Sequence, residues 1–179
     1  MSQIDNENLE SNFEKYVSYL DKFGETSIEN FVESEGHRLA TSPANAQKDE
    51  YGCYNGGLVE NTLEILDSMR KLDIVAGKKA DQKSLWKVAL LHNIGAIGTS
   101  SEDLFLPQDS DWHIEKLGML YKRNQNLKST CAERTFQILF HYSIELTEEE
   151  YFAILSIDKD KPLNYLGSLL VASRALFCR

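Results

Sequence analysis

Residues 82–98, QKSLWKVALLHNIGAIG, decide the fold. Leu85, Trp86, Val88, Ala89, Leu90 and Leu91 make the 82–94 segment too apolar for a surface helix, so it is predicted to lie at the centre of the molecule. The glycines that follow, Gly95 and Gly98, mark a turn. A polar pair, His92-Asn93, stands where helix meets turn, and such a pair is either part of the core or part of a site.

The segments on either side keep the helical period. Upstream, Gly56-Gly57 opens a run in which Leu58, Thr62, Leu63, Ile65, Leu66, Met69 and Leu72 form a wide apolar stripe ending near Gly77. Residues 7–23 place Leu9, Phe13, Tyr16, Val17 and Leu20 at three- and four-residue steps before Gly24. Thr26-Ser27-Ile28-Glu29 has the form of a capping box and predicts a short helix through Phe31 and Val32. Residues 99–128 are loop-rich, with Pro107, polar clusters and at most a short helix from Trp112 to Leu120. Helices are predicted at 131–143, at 147–156 behind a Thr147-Glu148-Glu149-Glu150 cap, and at 163–177. Alternating strand patterns are almost absent, and no repeat, low-complexity tract or linker interrupts the chain. The expectation is one all-α domain over residues 1–179, of roughly six to eight helices, with the 57–72 and 82–94 helices packed together at its centre.

Composition narrows the function classes. A chain of 179 residues is long enough for one real core, and its formal charge of −9 disfavours an extended nucleic-acid partner, whose phosphates need a basic face. A basic pocket for one small phosphate remains compatible with that charge. Cys53, Cys131 and Cys178 are odd in number and not spaced as CxxC, which fits a reduced cytoplasmic protein better than a disulfide scaffold or zinc knuckle. No signal segment is recognised, and no apolar run approaches the ~20 residues that span a bilayer, so no membrane partner is expected.

Two stretches carry a specific resemblance. Ser42-Pro43-Ala44 with Tyr51-Gly52-Cys53-Tyr54-Asn55-Gly56-Gly57-Leu58-Val59-Glu60-Asn61-Thr62, followed downstream by Leu90-Leu91-His92-Asn93-Ile94-Gly95, resembles the opening half of an HD-domain phosphohydrolase. The nearest subgroup is the small HD hydrolases of tailed bacteriophages and their hosts. Its first motif reads roughly His-x-x-Tyr-x-Gly-Gly-Leu-x-x-His and its second Leu-Leu-His-Asp-Ile-Gly-Lys. Leu146-Thr147-Glu148-Glu149-Glu150-Tyr151-Phe152-Ala153-Ile154 is similar to a third family segment, and Leu169-Leu170-Val171-Ala172-Ser173 falls where such proteins carry an Ala-Asp pair. The resemblance covers residues 42–175, with residues 1–41 as added N-terminal helices. It implies a compact HD-like helical fold, a phage or prophage origin and action in a host cytoplasm.

The same resemblance implies what has been lost. The family holds a divalent ion through a His, a His-Asp pair and a distant Asp, and the ion activates water for attack on phosphorus. Residue by residue, those positions hold Tyr51, His92, Asn93 and Ser173. The His after Gly-Gly-Leu becomes Asn61, and the Lys after the pair becomes Ala96. Family histidines of the second half fall at Cys131 and Ile157. A phenol, an amide and a hydroxyl do not supply the anionic charge that holds Mg²⁺ or Mn²⁺. The expectation is therefore a protein without a metal, a cofactor or catalytic residues.

The expected ligand site is what remains of that cleft: Tyr51, Asn61, His92, Asn93 and Ser173, with Trp112 and His113 as a lid wall. Each also has a structural reading. His92 is a buried imidazole satisfied by a carbonyl or hydroxyl, or it is a ligand contact. Trp112 packs under a long loop or covers the pocket, Tyr51 and Tyr54 close the core or stack on a base, and Glu148 to Glu150 form a solvated helix start. Cys53, inside the motif turn, is a candidate for an accessible thiol without an evident base. His37 and His141 have no metal-ligand spacing, and no GxSxG, P-loop, HExxH or Rossmann glycine pattern is present.

Three functional readings stay open. The first is an inactive HD-like protein that binds a nucleotide or phosphorylated metabolite, or regulates a host protein. The second is an interaction subunit with a vestigial pocket, in which an acidic surface or the C-terminal helix meets a partner or a second copy of the chain. The third, a hydrolase with a non-standard site, requires Tyr51, Asn93 and Ser173 all to be tolerated. Convergence of Arg134, Arg174, Lys116, Lys122 and Arg123 on His92 would favour small-ligand binding, and their dispersal would favour the interaction reading.

Overall fold

The structure, a computed structural model, describes residues 3–159 and 161–177. The chain folds as a single all-α domain. Its α-helices are α1 (Gln3–Leu20), α2 (Thr26–Thr41), α3 (Gly57–Val75), α4 (Gln82–Leu91), α5 (Asp111–Leu117), α6 (Cys131–His141), α7 (Glu148–Leu155) and α8 (Tyr165–Phe177). Short 3-10 turns follow α1, α4 and α7, at Asp21–Phe23, Ile94–Ile97 and Ser156–Asp158. Among the described residues, no helix is long and apolar enough to cross a membrane.

The core is built outward from α4. Leu85, Val88, Ala89, Leu90 and Leu91 are fully buried, so this helix meets apolar neighbours on most of its circumference. One neighbour is α3, which contributes Leu58, Ile65, Leu66 and Met69; the other contacts come mainly from α7, α8 and α1. The short connection from Val75 to Gln82 makes α3 and α4 antiparallel neighbours, which brings the first turn of α3 beside the last turn of α4. Asp73, itself buried, fastens that connection: its carboxylate accepts from the backbone N–H groups of Lys79 and Ala80, each at 3.0 Å, and from Tyr165 Oη of α8 at 3.0 Å.

Three local expectations are corrected. The Thr26-Ser27-Ile28-Glu29 segment forms no capping box: Glu25 is the N-cap, without a side-chain cap, and Thr26 is already helical. Glu25 instead receives Lys87 Nζ at 2.9 and 3.0 Å. The helix it starts runs through Thr41 rather than stopping after Val32, because Glu35, Gly36, Leu39 and Ala40 find buried positions. Glu150 belongs to a genuine capping box with Thr147, but it is buried rather than solvated, while Glu148 and Glu149 are exposed. The 99–128 region holds a small antiparallel sheet, β1 (Phe105–Pro107) with β2 (Tyr121–Arg123), in which Leu106 faces Lys122. Strands of three residues are too short to show a period of two.

Candidate functional site

The Gly-Gly turn and the HNIG turn are both sites of close backbone approach. Gly56 has φ 85, a left-handed conformation, and a Cβ on Gly57 would lie 2.1 Å from the Gly52 carbonyl oxygen. A Cβ on Gly95 would lie 2.3 Å from the Cys131 carbonyl oxygen and 2.6 Å from the Thr135 nitrogen. The second contact seats the 94–97 turn against the first turn of α6. Arg134 Nε donates to the Gly95 carbonyl at 2.7 Å, and the Gly95 N–H donates to Thr135 Oγ1 at 3.0 Å. Thr135 Oγ1 in turn donates to the His92 carbonyl at 3.2 Å, and Tyr16 Oη of α1 donates to the Leu90 carbonyl at 2.9 Å. The last carbonyls of α4, which lack helical partners, are thus taken up by α1 and α6.

His92 is fully buried at the junction this creates. Its Nδ1 lies 2.9 Å from the Ala89 carbonyl. A carbonyl only accepts, so Nδ1 carries the proton and Nε2 presents a lone pair. Burial, and then the positive charge of Arg174, push the imidazole pKa from its ordinary value down to about 3. His92 is neutral at physiological pH.

Three buried side-chain polar atoms have no hydrogen-bond partner among the described residues: His92 Nε2, Asn61 Nδ2 and Ser173 Oγ. They belong to the C-cap of α4, the N-terminal part of α3 and the C-terminal part of α8, three helices that pack against one another. Arg174, next to Ser173 on α8, is the charge that acts on the His92 imidazole. Asn93, also buried, accepts a weak bond from Cys131 Sγ at 3.7 Å, and burial raises the Cys131 thiol pKa. Asn61, His92, Asn93 and Ser173 are each at most 7% exposed.

Tyr51 is half-buried in a cleft with Lys48, Asp49, Glu50, Gly52, Tyr54 and Leu176, and burial followed by the charges of Glu60 and Glu64 raises its phenol pKa to about 12. Trp112 and His113, expected as a lid wall, are neighbours with ring centroids 5.1 Å apart. They stand on α5, whose neighbouring turn is tied to the 47–48 loop: the Lys48 N–H donates to the Gly118 carbonyl at 2.7 Å, and Gln47 bridges Met119. Trp112 is 59% exposed, edge-on to the His113 ring, and His113 Nδ1 pairs with Ser110 Oγ at 2.8 Å. The Cys53 thiol, considered accessible from its place in the turn, is buried, and Cys178 lies outside the described residues.

The residues at the positions named by the HD-like resemblance do not fit a divalent cation. One imidazole lone pair is available, but the other positions hold a phenol, a neutral amide and a neutral hydroxyl, and among the described residues the charge that acts on the imidazole is the Arg174 guanidinium. Among the described residues, no three His, Cys, Asp or Glu come together in a set able to hold a metal ion. The cations are divided. Arg134 is spent on the carbonyls of Gly95 and Ser129, Lys122 pairs with Asp109 at 2.5 Å, and Lys116 and Arg123 are exposed. Only Arg174, half-buried and without an ion pair among the described residues, acts on His92.

Sequence reasoning missed Thr135 and Arg134 as the residues that lock the HNIG turn. A signal was present: Thr130-Cys131-Ala132-Glu133 has the capping-box spacing, and Thr130 does accept from the Glu133 N–H at 3.2 Å, which starts α6 where Arg134 and Thr135 face the turn. Comparison of the chain with protein-family models, with curated proteins and with solved structures gave no match.

Proposed function

We propose that this chain is a catalytically inactive HD-like protein that acts by binding, in a host cytoplasm, as a regulator rather than as a hydrolase. One observation carries the reading. At the position where the resemblance calls for a metal-binding His-Asp pair, His92 is buried and neutral, Asn93 carries no charge, and the nearby ion is a guanidinium. Electrostatics of that sign repel the metal cofactor on which the family's chemistry depends. Elemental analysis together with a phosphate-release assay on nucleoside mono- and triphosphates in Mg²⁺, Mn²⁺ and Co²⁺ tests it. The expected result is no stoichiometric metal and no turnover; turnover that disappears in His92→Ala would refute it.

Between a small ligand and a protein partner, the burial of the His92 junction favours the protein. A nucleotide at Asn61, His92 and Ser173 would require α6 or α8 to move aside, whereas α5 presents Trp112, Ile114 and Leu117 to solvent and buries none of its own residues. Exposed large apolar side chains on a short helix that buries none of its own residues are consistent with an interaction face. The phosphometabolite reading keeps one specific support, Arg174 beside the unpartnered groups of the junction. Calorimetric titration with mono-, di-, tri- and cyclic nucleotides decides between them: saturable binding that is lost in Arg174→Ala selects the metabolite, and none below about 1 mM selects the partner.

A further inference from the structure

A second recessed site lies on the outer side of the Gly-Gly turn, between the start of α1 and β2. It is a cleft of about 430 Å³, within the size range of small-ligand sites, and its walls include Leu9, Asn12, Tyr54, Asn55, Glu60 and Tyr121. We propose that this cleft binds an organic cation, an ammonium or guanidinium group brought either by a basic peptide or by a free polyamine.

The lining carries the chemistry. Among the described residues, no lysine or arginine contributes to the walls, so a phosphate or carboxylate would find no counter-charge there. Glu60 is half-buried, and one of its oxygens, Oε2, is held by Tyr54 Oη at 2.8 Å, which fixes the carboxylate in place. Among the described residues, Glu60 has no cationic partner. Two phenol rings, Tyr54 and Tyr121, stand in the same walls, and aromatic faces attract a cation that has shed part of its water. The Asn12 amide offers a carbonyl to the N–H groups that such a ligand would still carry. The field at the cleft has the matching sign: Glu60 and Glu64 both raise the Tyr54 phenol pKa, after burial. A carboxylate held by a phenol in an aromatic-walled cleft, without a counter-ion among the described residues, suits a cation and rejects a nucleotide. None of this depends on the HD-like reading, since the His92 junction takes no part in it.

The test uses the intact protein, titrated calorimetrically with spermidine, with a short amidated Lys-Arg peptide and with AMP. At least one cation is expected to bind with a Kd below about 1 mM, more weakly as salt is added, while AMP does not. Glu60→Gln is expected to weaken that binding about tenfold and Tyr54→Ala by a similar factor, at unchanged melting temperature. Binding of spermidine alone identifies a metabolite, and binding of the peptide alone identifies a protein segment; either supports the site. If a variant unfolds, amide shift mapping on the unaltered chain replaces it, with the shifts expected at Tyr54, Gly56 and Glu60. Failure of both cations to saturate, undiminished binding in a folded Glu60→Gln, or shifts that map to another face would overturn the proposal.

Discussion

Acidification tests the buried neutral state of His92. In the unfolded chain the imidazole titrates near its ordinary value of 6.5, whereas in the fold burial and Arg174 hold it down to about 3. Between those values the unfolded state binds a proton that the native state refuses, so stability rises with pH across the window and is independent of this group above it. Each unit within the window is worth about 1.4 kcal/mol. From about pH 7.5 to about pH 5 the native state should therefore lose about 2 kcal/mol through His92, a figure that requires only that the folded pKa lie below 5. Because the chain also approaches its isoelectric point of 5.0 in this range, which relieves repulsion, the quantity to compare is the difference between the unaltered protein and His92→Gln in urea unfolding. That difference should shrink by about 2 kcal/mol on acidification. Parallel pH profiles for the two proteins would refute the reasoning, as would His92 imidazole proton resonances, assigned by comparison with His92→Gln, that titrate in the native protein near pH 6.5. Either result would mean that the junction admits water and that His92 is available for ligand chemistry.

Gly95→Ala should destabilise the protein by about 3 kcal/mol or more, since its Cβ meets α6 backbone atoms at 2.3 and 2.6 Å and two hydrogen bonds must stretch; a melting temperature within a few degrees of the parent would count against the seating of the turn on α6. Leu90→Ala, at a fully buried position of α4, should cost about 2–5 kcal/mol in denaturant unfolding. Asp73→Asn replaces a charged acceptor of several hydrogen bonds and should cost about 2 kcal/mol, visible as a lower urea midpoint. Trp112→Ala should change stability by no more than about 0.5 kcal/mol, because the ring is largely exposed, yet reduce capture of a protein partner in pull-down; unchanged capture would remove α5 from the interaction face.

The sequence alone determined the elements whose information is local. The apolar stripes of α3 and α4, the stops at Gly24 and Gly77, and the Thr147 cap of α7 depend on neighbours three or four residues away, and all were legible as written. The Gly56-Gly57 pair announced a close approach, but only the fold named its partner, the backbone of Gly52. Where the outcome depended on distant groups, the same local patterns misled or were silent. Thr26-Ser27-Ile28-Glu29 looks as good a cap as Thr147 to Glu150, yet α2 has a different N-cap and runs on through Thr41 because its later residues find the core. The pairing of β1 with β2 joins segments that carry no period of their own. The site divided in the same way. That Asn93 and Ser173 carry no charge was readable from residue type, but the enclosure of His92 follows from α6 pressing Thr135 and Arg134 onto the HNIG turn, and its neutral state from burial and from Arg174 of α8. Burial and the sign of the local field are sums over helices far apart in the chain, so the tertiary structure decided that this polar junction faces inward while Trp112 faces out.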